Sequence, residues 1–279
     1  ASNLTGSTRT YAVGGTGGSS TVQQNGSDAT ANTGGGGGGA SSNTSLASAG
    51  GSGGSGIVVV RYIGASAASG GTVTSGSGTA AGYTLHTFST VGTSSLTLNA
   101  ASAVLSGVIS GANNLTINAT NGTVTLTGTN TMSGLTTLSG GTIRVGNASG
   151  TGLLGSGAVV NNATLILDRT NDFTLVNNIS GSGTLTKLLG NVATLTGSNS
   201  WSGTTTISAG TLQIGDGGTS GSLGTGPVVD NAALVFNRSD NLTQNGLISG
   251  TGTLTQQGSG TLTLTANNTY SGTNTIANG

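Results

Sequence analysis

Beyond residue 92, aliphatic side chains alternate with Thr and Asn, as in Thr125-Leu126-Thr127 and Thr164-Leu165-Ile166-Leu167, and each short run ends at Gly, Asn or Ser. A period of two is the signature of a strand with one buried face. Short strands joined by tight turns are therefore predicted throughout this region, with the aliphatic residues inward. Upstream, two further β-prone runs stand out between Gly- and Ser-rich stretches, IVVVRYI from Ile57 and YTLHTF at Tyr83 to Phe88.

The pattern also repeats at long range, with a period of 69 residues. Met132-Ser133-Gly134 returns as Trp201-Ser202-Gly203 and as Tyr270-Ser271-Gly272, and Leu126 returns as Leu195 and Leu264. Ile109-Ser110-Gly111 returns as Ile179-Ser180-Gly181 and Ile248-Ser249-Gly250, the first interval being one residue longer. Such a repeat points to a solenoid, in which each unit buries its apolar face against its neighbours. A division into three coils of about 23 residues is expected, with like residues stacked over like. An antiparallel sandwich with turns at Asn25-Gly26, Asn121-Gly122 and Asn245-Gly246 is the rival, but it gives no reason for the repeat. The fold class read here is all-β, a parallel β-solenoid preceded by a Gly-rich, strand-containing region. Its parts are a Gly/Ser-rich segment at 1–56, a strand-containing connector at 57–91 and repeats at 92–279, with units at about 109–178, 179–247 and an incomplete 248–279.

Composition narrows the chemistry. The 279 residues include 55 Gly, one Pro, one His and no Cys, and only 4% are charged, with a net charge of zero. Six bases balanced by six Asp form no cationic stripe for nucleic acid. No apolar run is long enough for a membrane-spanning helix. The lack of Cys removes disulfides, thiolate metal sites and thiol nucleophiles. One imidazole, His86 in an alternating strand, makes no zinc site without further ligands. No cofactor or metal is expected. The GxGxxG and GxSxG matches between Gly50 and Gly56 lie in a Gly tract and lack the strand-before, helix-after context that dinucleotide binding requires. Hexaglycine 34–39 reads as a spacer or as packed polyglycine.

The segments Gly258 to Ile276 (GSGTLTLTANNTYSGTNTI) and Leu195 to Gly215 (LTGSNSWSGTTTISAGTLQIG) resemble the passenger-associated repeat of bacterial autotransporters, over about residues 109–279. The resemblance implies a right-handed parallel β-helix in a large secreted or surface-displayed bacterial protein. The Gly-rich stretch leading into GIVVVRY is similar to modules of phage tail and large bacterial surface proteins. Together these imply an extracellular, non-enzymatic structural or adhesive role, with a host or environmental glycan or surface as partner.

A β-helix can also carry polysaccharide-cleaving carboxylates, as tailspike enzymes do. Under the 69-residue shift, however, Asp168, Asp172, Asp216, Asp230 and Asp240 fall on Asn237, Asn241, Asn147, Asn161 and Asn171. Asn and Asp share turn-forming hydrogen bonds but not charge, so turn geometry is their expected role. Arg144 and Lys187 exchange with Gln213 and Gln256, and only Arg169 and Arg238 recur. Those two are expected to bond turn carbonyls, with anionic sugar as the sharper alternative. Met132, Trp201 and Tyr270 are read as one stacked position, filling the core or forming a ladder for glycan contact. The last unit stops before the GTL strand of its predecessors, leaving Tyr270, Thr275 and Ile276 as a candidate acceptor end. Thr10-Tyr11-Ala12-Val13-Gly14 has the alternation of Thr142 to Gly146 and Thr211 to Gly215. It is the candidate strand that a neighbouring copy adds there, head to tail, building a filament.

Overall fold

In the computed structural model, residues 102–112 and 114–278 are described, together with the backbones of the strands between residues 58 and 98 and the isolated residues Ser27, Asp28, Gly37 and Ser52. Thr10 to Gly14 and all of the hexaglycine except Gly37 lie outside the described residues. By packing, the chain divides into Ala1–Leu96 and Thr97–Gly279.

In the first unit, Val58–Ile63 pairs antiparallel with Tyr83–Phe88, which pairs antiparallel with Thr72–Ser75. Both β-prone runs are thus strands, and His86 sits opposite Val60 and Val73 on the central one.

The second unit is a parallel β-solenoid. Every described strand pair beyond residue 102 is parallel, and one column of facing residues runs through Val124, Ile143, Leu165, Leu185, Thr205, Val228 and Ile248. Successive members are one coil apart, so a coil takes about 20 residues. A second stack carries Phe173, Ala193, Leu212, Leu234 and Leu254, and a third includes Leu242 and Leu262. Within the strands, burial alternates as the sequence predicts: Leu212 and Ile214 are fully buried while Thr211 and Gln213 are partly exposed. Parallel stacking sets like-shaped aliphatics about 4.8 Å apart along the axis, giving a mainly apolar interior without any helix among the described residues.

One expectation is corrected. Like residues of the 69-residue repeat do not stack on one another. Leu195 lies between Leu175 and Ile214, whereas Leu126 lies between Leu105 and Val145 and Leu264 pairs with Gln244. Three coils starting at Ile143 end at Thr205, seven residues short of the repeat counterpart Leu212, which stands in a different stack. The repeat is three coils plus one side, so each unit advances its sequence by one face. Coil length is set by the residues needed to turn three corners, and those corners are tighter than an even threefold division of the repeat assumed.

Glycine marks where the corners need left-handed backbone. Gly146 and Gly215, one repeat apart, have φ of 91° and 82°, and a Cβ on either would collide with a backbone oxygen of the next coil. Ala148 has φ of 51° where its counterpart is Gly217, and Leu189 has φ of 60° where its counterpart is Gly258.

Candidate functional site

The side chains that could carry chemistry are set at the corners, and the repeat lets their roles be compared directly. Arg169 donates from Nη1 to the Gly152 carbonyl at 3.0 Å, from Nη2 to the Gly150 carbonyl at 2.8 Å and from Nε to Asn171 Oδ1 at 3.1 Å. Its guanidinium also lies 4.7 Å from the centroid of the Phe173 ring, within cation–π range. Arg238 repeats this brace on Gly221 and Thr219, with Asp240 in the place of Asn171 at 2.8 Å. Five donors in a fixed fork suit this task, since they tie a wide turn to the coil above it. Both arginines are thus occupied by turn carbonyls.

Asp172 and Asp230 each repeat an amide bond made by their Asn counterparts. Asp172 Oδ1 accepts the Val192 amide at 2.8 Å, as Asn241 Oδ1 accepts that of Thr261 at 3.1 Å. Asp230 Oδ1 accepts the Ala232 amide at 3.1 Å, as Asn161 Oδ1 accepts that of Ala163 at 3.1 Å. Asp216 accepts the Gly218 amide at 3.4 Å. Asp168 is buried, bridges Arg144 Nη2 at 2.5 Å and accepts the amide of Ala148, the residue held in left-handed backbone. The hydrogen bond from Arg238 holds the Asp240 carboxyl below its ordinary range. Among the described residues, no three His, Asp or Glu side chains converge as a metal site would require.

Polar residues also enter the core. One inward column reads Leu105, Leu126, Val145, Leu167, Lys187, Ile207, Asp230. Lys187 is fully buried and its Nζ donates to the carbonyls of Leu188 at 2.5 Å and Leu189 at 2.9 Å and to Asn191 Oδ1 at 2.8 Å. Its counterpart Gln256 donates from Nε2 to the carbonyls of Gly258 at 2.9 Å and Gly260 at 2.6 Å. An amine and an amide thus close the same corner.

Burial pulls the Lys187 amine down to about 8, against a smaller upward pull from Asp172 and Asp168. The folded state therefore favours the neutral amine. The cost of the buried charge is fully present below about pH 8 and disappears as the pH rises toward 10.5, the ordinary lysine value. Lys187→Gln is expected to be at least as stable as the parent at pH 7 and to lose the gain in urea midpoint that the parent shows between pH 8 and pH 10.5.

Met132 and Trp201 are fully buried, and Tyr270 is partly exposed. Trp201 Nε1 donates to Thr205 Oγ1 at 3.1 Å inside the core. These residues lie in different stacks: backbone bonds lead from Ser202 to Gly181, from Gly183 to Asn161 and from Asn162 to Leu138, not to Met132, and likewise from Ser271 to Gly250, from Gly252 to Asp230 and from Asn231 to Ile207, not to Trp201. The three do not form a glycan ladder; Met132 and Trp201 are core residues.

Tyr270 borders instead a groove of about 530 Å3, whose lining includes Leu254, Gln256, Leu262, Leu264 and Ile276. Thr275 and Ile276 lie on the strand Asn274–Ile276, paired with Thr253–Gln256, and Ile276 is 77% exposed. The strand Leu262–Leu264 forms the groove's other wall. It pairs on one side with Leu242–Gln244, and no described strand covers its other side. Gln256 Oε1 and Gln244 Nε2 are buried beside this region without a hydrogen-bond partner. Sequence reasoning placed a candidate acceptor end at Tyr270, Thr275 and Ile276, and all three line this groove.

The comparisons agree with the solenoid. Residues 121–145, 192–214 and 254–279 match the Passenger-associated-transport-repeat, and residues 1–63 match the glycine-rich domain. The chain thus carries passenger-associated transport repeats, like those of autotransporter passengers, behind a region similar to a glycine-rich domain. Over 87 residues it is 47% identical to the adhesin BmaC autotransporter of Brucella suis biovar 1 (strain 1330), a match covering 30% of this chain and 2% of that protein. The chain thus spans a small part of that relative's length. No solved structure matches it.

Proposed function

We propose that this chain is part of the extracellular, adhesive passenger of a bacterial surface protein, and that it acts as a rigid stalk element rather than as an enzyme. The observation that carries the non-enzymatic reading is the exchange of each repeat Asp for Asn, with Asp172, Asp230 and Asp240 each repeating one corner bond of its Asn counterpart. A carboxylate spent on a turn amide or an arginine brace is not poised beside a scissile bond. The match to an adhesin supports the outward-facing location and a host or environmental surface as the target.

We propose further that the chain assembles head to tail through the strand Leu262–Leu264. In the first two units, Thr123 to Leu126 is covered by Thr142 to Val145, and Val192–Leu195 by Thr211–Ile214, in the same register. The third equivalent, Thr261 to Leu264, takes in that register a strand whose second and fourth residues are apolar. Thr10-Tyr11-Ala12-Val13 fits, with Tyr11 over Leu262, Ala12 over Thr263 and Val13 over Leu264. Supplied by a second copy, it extends the sheet by strand addition, and a head-to-tail contact of this kind does not close.

Ala12 and Thr263 would then face outward as neighbours, and the chain has no native Cys. In the Ala12→Cys, Thr263→Cys double variant, mild oxidation is expected to give a ladder of reductant-sensitive oligomers. Monomer alone, or a cross-link within one chain, overturns head-to-tail assembly.

A further inference from the structure

Asp230 is fully buried in the interior column, and its Oδ2 has no hydrogen-bond partner. The corner around it can be laid over that of Asn161, one repeat earlier. Gly181 and Gly250 both have φ of 107°. The amides of Gly183 and Gly252 donate at 2.8 Å to the carbonyls of Asn161 and Asp230, and those of Thr184 and Thr253 donate at 2.9 Å to Ala163 and Ala232. Each side chain accepts, through Oδ1, the amide two residues on, at 3.1 Å. The remaining atom differs. Asn161 Nδ2 donates to the Thr184 carbonyl at 3.0 Å, while Asp230 Oδ2 is buried without a partner.

An ionised carboxylate can only accept, and the repeat places Oδ2 toward the Thr253 carbonyl, which can only accept as well. A protonated carboxyl removes the conflict, because its O–H donates where the Asn161 amide does. No cation offers an alternative. The strands packed around Asp230 are Thr205–Ile207 below it, Ile248–Ser249 above it, and Ala233–Phe236 with Thr253–Gln256 beyond the corner; none contains a charged residue. The charge in the same column is Lys187, two strands away, whose Nζ is held by Leu188, Leu189 and Asn191.

We propose that Asp230 is held as a neutral carboxylic acid donating to the Thr253 carbonyl, and that it makes this corner an acid-favoured clamp within the solenoid. Burial pushes the carboxyl above its ordinary value, outweighing the opposing bond from the Ala232 amide. For an acid raised on folding, the stabilisation is complete below the ordinary carboxylate value and is lost as pH rises through the folded-state value. The coil closed by this corner therefore loosens as the surroundings turn from acid to neutral.

The test compares the full chain with Asp230→Asn and with Asn161→Asp in thermal melts from pH 3 to pH 8. Asp230→Asn restores the donor at every pH. It is expected to match the parent in acid and to melt several degrees above it at neutral pH. Asn161→Asp is expected to import the same loss at the second corner, adding to the parent's fall in midpoint. Carbon-13 titration of the Asp230 carboxyl reads the proton directly and should show it bound above the ordinary carboxylate range. A pH-independent difference between Asp230→Asn and parent, or a carboxyl already ionised in the ordinary range, overturns the proposal.

Discussion

Leu195→Asp is expected to destabilise the solenoid by about 4 kcal/mol or more, the range reserved for a buried unpaired charge. Leu195 has no exposed surface and is covered on one side by Leu175 and on the other by Ile214. A carboxylate there would lie between the aliphatic side chains of Leu175 and Ile214, and no described cation stands in that inward column, which continues to Phe236 and Gln256. Because each coil touches mainly its neighbours, the defect should divide the melt. Hydrogen exchange should accelerate first in the strands Phe173–Leu175, Val192–Leu195 and Thr211–Ile214. A variant that melts with the parent's midpoint, with protection unchanged in these strands, would show that Leu195 does not face the core.

Trp201→Ala is expected to cost about 3–5 kcal/mol, the usual price of removing a fully buried large aromatic. The ring is sealed by backbone as well as by side chains. A Cβ added to Gly224 would lie 2.6 Å from the ring atoms Cε2 and Nε1, so glycine there is what lets the next coil close over the indole. Truncation also leaves Thr205 Oγ1 without the indole donor. Denaturant unfolding read by circular dichroism checks the magnitude. Trp201→Phe should recover most of the packing but not the hydrogen bond, which separates the two contributions. An alanine variant of unchanged stability but impaired surface adhesion would instead return Trp201 to a contact role.

The sequence made the strands legible because period-two alternation is a local property: Leu212 and Ile214 face inward whatever the coil does around them. The turns were legible for a similar reason, since a Gly repeated at 146 and 215 answers a backbone need at each corner. The stacking order was not, because a period of 69 residues counts sides of the solenoid and not whole coils. Only the length of a corner, which depends on how Gly, Asn and Asp bend it, decides where a coil ends. The buried polar groups were missed although parity marks them. Lys187 follows Leu185 by two, Asp230 follows Val228 by two and Gln256 follows Leu254 by two, each on the inward count. Reading Asp230 as a turn residue from its chemistry overrode the alternation that placed it inside, and Lys187 and Gln256 were compared only for their charge.

The advance of one face per unit has a mechanical meaning for a stalk. Three units, or about ten coils at roughly 4.8 Å each, bring the sequence back to its starting face after about 48 Å. A surface feature that recurs once per unit therefore winds around the rod like the thread of a screw instead of lining one edge. Arg169 and Arg238 already show this, closing strands that belong to two different stacks. In the stalk proposed above, a feature kept in every unit, as the arginine brace is, would be presented on successive sides of the rod, whichever way it is rotated about its long axis.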